Sequence, residues 1–384
     1  MQVRGYILSL PHLGHVIPVV PLSGPKQNPA AICEKGRSPK TLRKINMTKK
    51  NNTSPFPGIH LITLPLKGSA LKHINAYLLP GKNGHLLIDT GWKTEDTYEA
   101  LKRQFDDLGF DMADVSDIII THAHIDHFGL IRKLKKISKA TVHMHDLEQE
   151  MLALRYHNPE DFAQQANELI LKGGVPERFM PLTHEIAARF IQLASVCEPD
   201  VTFKGGEIFR HEDFEFEILL TPGHSPGHIC MYEPNRKLIF CGDHVLPGIT
   251  PNIGIYPQSG DNPLGLYLES LGRVKNIQVD LALPAHGQPF TNFSERAEQI
   301  IKHHSLRNDE LTTALKKTGR FKTAFEMVAD VTWHFKGAPV AWKKLPVFDQ
   351  RLAISEVMSH LAALAHDGIL KERNQGGILS YFLS

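Results

Sequence analysis

Short apolar runs alternate with amphipathic segments between residues 59 and 290. Runs rich in β-branched residues predict strands, and segments with an apolar residue every three or four positions predict helices. The predicted strands cover residues 59–66, 76–79, 85–89, 116–121, 140–144, 214–220 and 237–240. The predicted helices cover residues 95–108, 130–137 and 148–155. Sustained alternation of this kind is typical of an α/β fold.

Two further regions have a helical pattern. Residues 158–196 carry two helical stretches around a Gly-Gly-Val-Pro turn and predict an insertion that shapes substrate access or pads the domain surface. After residue 291 the helical patterns at 294–316, 322–332 and 350–367 precede a closing hairpin. We therefore expect a catalytic domain over 56–291, with the insertion at 158–196, and a small winged-helix-like domain over 292–384.

The apolar residues of the N-terminal segment recur with neither the period of a strand nor that of a helix. Residues 1–46 contain seven Lys and Arg residues and a single acid, Glu34. Residues 1–55 therefore predict a poorly ordered basic tail. Met47 as the true start and a basic targeting segment are two other interpretations of residues 1–46.

Composition excludes several classes of protein. The chain has 384 residues, of which 42% are hydrophobic and 22% charged, so neither a wholly disordered chain nor a small disulfide scaffold is expected. No window offers eighteen uninterrupted apolar residues, and we expect no membrane association. The four cysteines lie far apart, which favours a reducing, cytoplasmic compartment.

The charge balance does not indicate a nucleic-acid surface. The net charge is 43 − 41 = +2, and removing residues 1–46 leaves 36 − 40 = −4. A strong basic excess would be typical of a nucleic-acid-binding body.

Four potential metal ligands follow the strand predicted at 116–121. His122 and His124 alternate along an extended backbone and therefore project to the same side. Asp126 and His127 lie where the chain turns, so their side chains would be directed to a second metal position. Three further donors follow other apolar strands at a shared sheet edge, and they are His224, Asp243 and His286.

This set of five imidazoles and two carboxylates suits Zn²⁺, Fe or Mn better than Ca²⁺ or Mg²⁺. We assign one ion to His122, His124 and His224, and a second to Asp126, His127 and His286. Asp243 would bridge the two ions. Such a pair can hold a bridging hydroxide at neutral pH, and Asp126 would take the proton of this nucleophile.

The order of these motifs resembles the metallo-β-lactamase superfamily, whose pattern is T-H-x-H-x-D-H followed by Gly-His, a bridging Asp and a last His. The resemblance covers roughly residues 56–290. It implies an αβ/βα four-layer sandwich with a dinuclear site at its edge. It also implies that Asp89 steadies the ligand loop from outside.

Within the superfamily, the Thr-Pro-Gly-His-Ser-Pro-Gly-His at 221–228 and the Cys-Gly-Asp at 241–243 look most like the glyoxalase II group. Zinc β-lactamases generally lack an Asp equivalent to Asp243, and flavodiiron proteins usually place Glu where His124 stands. These two differences disfavour a β-lactamase and a flavodiiron reductase, and a hydrolase with another substrate remains. The C-terminal segment, through its helix pattern and residues 303–307 and 359–368, is similar to the winged-helix domain of the β-lactamase-like protein 2 group, which is described as endoribonucleolytic.

We therefore predict a hydrolase in which the bridging hydroxide attacks an ester-type bond, a thioester or a lactone, of a small acyl substrate. Tyr256 is a candidate donor to the substrate oxyanion. One alternative is an RNA phosphodiesterase in which the winged helix holds the strand. A second is a binding or assembly module with a vestigial site. A homodimer would be the expected assembly if the small domain covers a subunit interface.

Overall fold

The computed structural model describes residues 16–18, 54–179, 196–335 and 338–384. The first described element is a three-residue strand, β1 (Val16–Pro18), which pairs antiparallel with residues 249–251. The rest of the predicted tail up to residue 53 lies outside the described residues. The second helical stretch of the predicted insertion lies in residues 180–195, which are also outside them.

The first sheet has six strands in the order in which they occur along the chain. They are β2 (His60–Pro65), β3 (His73–Leu79), β4 (His85–Ile88), β5 (Val115–Ile119), β6 (Thr141–His145) and β7 (Val201–Phe203). Strands β2 to β4 form an antiparallel meander, and β4 to β7 run parallel. The parallel strands end at one edge, where their following loops meet.

The second sheet has five strands in the spatial order β13-β11-β10-β9-β8. They are β8 (Ile208–His211), β9 (Phe214–Leu220), β10 (Ile229–Glu233), β11 (Leu238–Gly242) and β13 (Leu281–Pro284), whereas β12 (Ile249–Pro251) pairs with β1. Only the β11–β13 pair within this sheet is parallel. Strands β11 and β13 therefore end on the same side of the sheet.

Helices cover the outer faces of both sheets. Those on the first half of the chain are α1 (Glu95–Leu108), α2 (Ile125–Phe128), α3 (Ile131–Ser138), α4 (Asp146–Leu152) and α5 (Pro159–Lys172). Leu101 and Phe105 of α1 pack under the first sheet with Ile62 and Leu78. None of the helices in the described part of the chain has both the length and the apolar character needed to cross a bilayer.

A sandwich of two sheets forms the centre of the molecule. Ile88 and Ile119 of the first sheet share one buried core with Phe216, Met231 and Phe240 of the second. On the far side of the second sheet, α6 (Pro263–Val274) and α7 (Phe293–Thr318) bury a further core cluster. The layers are therefore helix, sheet, sheet and helix, which confirms the predicted four-layer α/β sandwich.

The C-terminal region continues from α7 into α8 (Ala324–Met327) and α9 (Val347–His366). Two hairpins accompany these helices, β14 (Trp333–Phe335) with β15 (Ala338–Val340), and β16 (Leu370–Gln375) with β17 (Ile378–Leu383). Ile170 of α5 packs into the same core as Val357 of α9. The inserted helix is thus continuous with the C-terminal core, and the winged-helix assignment stays a prediction.

Candidate metal centre

The seven predicted ligands meet at one edge of the sandwich, and each comes from a loop that leaves a strand. His122 and His124 follow β5, and Asp126 and His127 lie in the short helix α2 immediately after it. The other three ligands follow β9, β11 and β13, and they are His224, Asp243 and His286. Apart from His124, these side chains are buried to at least nine-tenths.

One group consists of the three histidines His122, His124 and His224, whose nearest ring nitrogens all lie within 4.8 Å of one another. His122 Nε2 is 2.8 Å from His124 Nδ1, and His224 Nε2 is 3.0 Å from the same atom. Three imidazole nitrogens around one point form a suitable donor set for a divalent transition metal.

A second group is formed by Asp126, His127 and His286, again within 4.8 Å. Asp126 Oδ1 is 3.9 Å from His127 Nε2, and Asp126 Oδ2 is 3.4 Å from His286 Nε2. This second group contains a carboxylate as well as two imidazoles, whereas the first group contains imidazoles alone. The two groups of ligands therefore differ in charge.

Asp243 stands between the two groups. One oxygen, Oδ2, lies 3.6 Å from both His224 Nε2 and His127 Nε2, and the other, Oδ1, lies 3.4 Å from His286 Nε2. A carboxylate that faces imidazoles of both groups is placed as a bridge between two ions would require.

Hydrogen bonds on the outer nitrogens fix how three of the rings face the centre. His127 Nδ1 lies 2.8 Å from Asp89 Oδ2. His224 Nδ1 lies 3.1 Å from the Asn252 carbonyl, and His286 Nδ1 lies 2.9 Å from the His73 carbonyl. An N–H donated outward leaves the Nε2 lone pair directed inward, as metal-binding histidines require.

Asp89 organises the loop after β5 from behind. Its Oδ1 accepts from the Thr121 backbone N–H at 2.9 Å, and its Oδ2 accepts from the Thr121 hydroxyl at 2.9 Å while also facing His127. The Asp89 backbone has φ = 58°, a left-handed conformation that is unusual for a residue with a side chain. These contacts are the ones that the predicted supporting role requires.

His228 performs a similar task for Asp243. Its Nε2 accepts from the Asp243 backbone N–H at 3.1 Å, so Nδ1 carries the proton and donates to the Thr221 hydroxyl at 2.8 Å. A Cβ added to Gly242 would lie 2.6 Å from His228 Nε2. Glycine at this position therefore admits the histidine that orients the bridging carboxylate.

Sequence reasoning missed Glu148, which is fully buried on α4. Its two oxygens accept from the Ala123 backbone N–H at 2.6 Å and from the Gly227 backbone N–H at 2.7 Å. One carboxylate thus joins the loop of His122 and His124 to the loop of His224. Burial raises the pKa of this carboxyl, and hydrogen bonds from Ser225, Ala123 and Gly227 oppose the rise.

The pKa shifts of the histidines have opposite directions in the first and the second group of ligands. Burial, reinforced by the neighbouring histidines, lowers the pKa of His122 and of His124 well below the usual histidine value, so both rings are neutral at pH 7. Burial also opposes a charge on His127, but the carboxylates Asp89, Asp126 and Asp243 raise its pKa well above that value. Carboxylates and histidines are therefore mutually stabilising around the second group.

The residues at this edge fit divalent metal ions by their chemistry. Four buried polar atoms point into the centre without a hydrogen-bond partner among the described residues: Asp126 Oδ2, His127 Nε2, Asp243 Oδ1 and His286 Nε2. Leaving such atoms unsatisfied is costly, and metal coordination removes that cost. All four belong to the predicted ligand set.

Tyr256 lies in the loop after β12 and is half-buried. Its hydroxyl donates to Asn252 Oδ1 at 3.1 Å. Asn252 is also the residue whose backbone carbonyl accepts from His224. It also lines a cavity of about 600 Å³ between α5, α9 and the closing hairpin. The hydroxyl proton needed for the predicted oxyanion role is therefore already donated to Asn252, and that role stays a prediction.

Comparison with known proteins agrees with this geometry. The family model described as the Metallo-beta-lactamase superfamily matches residues 71–286. A metallo-beta-lactamase family protein of Thermus thermophilus has a similar structure, with a TM-score of 0.70, 29% identity, and coverage of 86% of this chain and 99% of that one.

Two named relatives are similar in sequence. The probable metallo-hydrolase YqjP of Bacillus subtilis is 24% identical over 306 residues, which are 77% of this chain and 88% of the relative. The atrochrysone carboxyl ACP thioesterase of Aspergillus fumigatus is 24% identical over 257 residues, which are 66% of this chain and 62% of that protein.

Proposed function

Because this chain belongs to the metallo-β-lactamase superfamily and is a metallo-hydrolase, we propose that it hydrolyses an ester-type bond with two divalent metal ions, most favourably Zn²⁺. The observation that carries the proposal is the convergence of seven imidazole and carboxylate side chains, four of which have a buried inward-facing atom without a hydrogen-bond partner among the described residues. One ion would be held by His122, His124 and His224. The other would be held by Asp126, His127 and His286, with Asp243 between them.

Divalent ions bound there would lower the pKa of water and stabilise negative charge on a carbonyl oxygen. The side chains of the protein would transfer the proton and hold the ligand loops in place. Asp126 Oδ2 would accept the proton that the attacking water releases, and would return it to the leaving thiolate or alkoxide as the C–S or C–O bond breaks. Asp89 and Glu148 would keep the ligand loops fixed while this charge moves.

An acyl substrate is favoured over a phosphodiester by the relatives and by charge. The Aspergillus fumigatus relative is a thioesterase by name and covers two-thirds of this chain. The chain without residues 1–46 carries a net charge of −4, which does not favour a polyanionic strand. A thioester or a lactone is therefore the substrate class that we propose, in keeping with the glyoxalase II-like motifs at 221–228 and 241–243.

The test is a substrate panel assayed with the full chain loaded with Zn²⁺. We expect turnover of thioesters or lactones, with no cleavage of single-stranded RNA or a model phosphodiester. The Asp126→Asn variant should lose at least about 100-fold in kcat/KM, because it removes the proposed proton acceptor.

The matched control is Asp107→Asn on the exposed face of α1, which should retain the parental kcat/KM. Cleavage of RNA without hydrolysis of any thioester or lactone would overturn the proposal. Equal activity of Asp126→Asn and the parent would overturn the proposed mechanism.

A further inference from the structure

A buried hydrogen-bond network connects the metal centre with the C-terminal helix α9. It begins at His224, whose Nδ1 donates to the Asn252 carbonyl at 3.1 Å. Asn252 is itself buried, in the loop that follows β12. The orientation of the His224 ring, and hence of its inward-facing Nε2, depends on where this carbonyl lies.

The side chain of Asn252 is bound at both ends. Its Nδ2 donates to Glu356 Oε2 at 3.0 Å, across a sequence separation of 104 residues. Its Oδ1 accepts from the Tyr256 hydroxyl at 3.1 Å. With both amide atoms engaged, the residue can shift only if one of these buried bonds breaks.

Glu356 is held in turn by the C-terminal region. Its side chain is 2% exposed, and Oε1 lies 3.6 Å from Arg307 Nη1 on α7. The Arg307 guanidinium packs over the Trp333 ring at 4.4 Å and donates to the Thr332 carbonyl at 3.3 Å. The carboxylate that binds Asn252 therefore has a fixed position within the C-terminal core.

The loop also contacts α9 at a neighbouring point, Ser355, which bonds Ile255 and not Asn252 directly. The Ser355 hydroxyl donates to the Ile255 carbonyl at 2.8 Å. A Cβ added to Gly254 would lie 2.6 Å from the Ser355 Oγ atom, so glycine permits this close approach. Ser355 and Glu356 thus provide two adjacent contacts from one helix to one loop, of which only the second bonds the Asn252 side chain directly.

We propose that Glu356 and Asn252 are positioning residues for the metal ligand His224, so that the C-terminal helical region sets the metal affinity of the catalytic domain. The inference rests on the proposed metal binding and adds to it a dependence on residues from outside the sandwich. The ion affected would be the one held by His122, His124 and His224. The ion at Asp126, His127 and His286 would be bound as in the parent.

The experiment is a Zn²⁺ titration of the metal-free full chain in competition with a chromophoric chelator, which resolves the two dissociation constants. Asn252→Ala keeps the backbone carbonyl but removes the link to Glu356, and it leaves the Arg307–Glu356 pair intact. We expect it to weaken one of the two sites by about 10-fold or more, the range in which outer-sphere partners of metal ligands act.

Glu356→Ala should weaken the same site to a similar degree. Glu356→Gln retains an oxygen acceptor for Asn252 Nδ2 and should restore most of the affinity. The absorption spectrum of the Co²⁺-loaded protein should change in Asn252→Ala and Glu356→Ala, because the geometry around the His224 nitrogen changes. Thermal unfolding of each metal-free variant checks that it is folded.

Ser355→Ala is the matched control, since it removes the neighbouring contact between α9 and the loop. It should leave both dissociation constants at their parental values. Parental affinities in folded Asn252→Ala, or an equal loss in Ser355→Ala, would overturn the inference and leave the proposed function standing. Failure of the parent chain to bind Zn²⁺ would instead overturn the proposed function, and this inference with it.

Discussion

The Glu148 carboxylate shows how much a single side chain outside the ligand set contributes to the centre. It accepts one backbone N–H from each of the two loops that carry His122, His124 and His224. A Cβ at Gly227 would lie 3.0 Å from Glu148 Cγ, so the loop backbone approaches this side chain closely. One buried acid therefore bridges the two ligand loops.

Replacing this acid by its amide tests that assignment. In Glu148→Gln one oxygen becomes an NH₂ group, which would face the N–H of Ala123 or Gly227 and could not accept from it. We expect the metal affinity to fall by about 10-fold and the melting temperature to fall as well. Chelator competition and thermal unfolding measure the two effects.

Glu150→Gln, on the same helix and exposed, is the control and should match the parent in both measurements. An unchanged metal affinity in Glu148→Gln would contradict the assignment.

The ligands themselves could be predicted from sequence, whereas Glu148 could not. Histidines and acids placed immediately after apolar strands have no packing purpose, and their spacing gives them a common direction. A single glutamate on an amphipathic helix has the same pattern as any exposed acid. Only the fold shows that α4 turns this face toward the loops.

Close contacts between elements also hold the ligand loops in place. Gly223, immediately before His224, has φ = 134°, and a Cβ there would lie 2.3 Å from Tyr267 Cβ on α6. The loop thus packs its backbone directly on the helix. Tyr267 in turn donates its hydroxyl to the His244 carbonyl at 2.7 Å.

Gly223→Ala should therefore destabilise the protein by about 2 kcal/mol or more, because the added methyl group must displace a buried helix and also strains a positive φ. Urea unfolding of the metal-free chain measures the change.

Gly272→Ala on the same helix is the comparison, since its Cβ would meet no atom within 4 Å. It should be neutral or stabilising by up to about 1 kcal/mol. Equal stability of the two variants would contradict the close packing of this loop.

The predicted elements agree best with the structure where the pattern of apolar residues is long and regular. The helix predicted at 95–108 has those bounds in the structure, as α1. The helix predicted at 322–332 is instead the short α8 followed by a 3₁₀ turn, because Thr323 and Glu326 form a capping box and the chain enters β14 at Trp333. Helix α6 was not predicted, since its two glycines interrupt the helical pattern.

At the scale of the whole molecule, the sandwich and the C-terminal region form one continuous structure around the metal centre. Ile170 of the inserted helix and Val357 of α9 share a core, and Glu356 reaches Asn252 behind His224. The alternation of strands and helices predicted the α/β class, and the resemblance carried by the order of the ligand motifs implied the four-layer sandwich. The link between α9 and the centre joins residues 104 positions apart, and no local pattern indicates it.

The central claim is that seven side chains from distant parts of the chain hold a pair of ions. Its most direct test is elemental analysis by mass spectrometry of the full chain equilibrated with Zn²⁺ and then desalted. We predict about two ions per chain in the parent, and a clear loss in Asp243→Ala, which removes the carboxylate placed between the two groups. One ion or none in the parent, or an unchanged content in Asp243→Ala, would contradict the account.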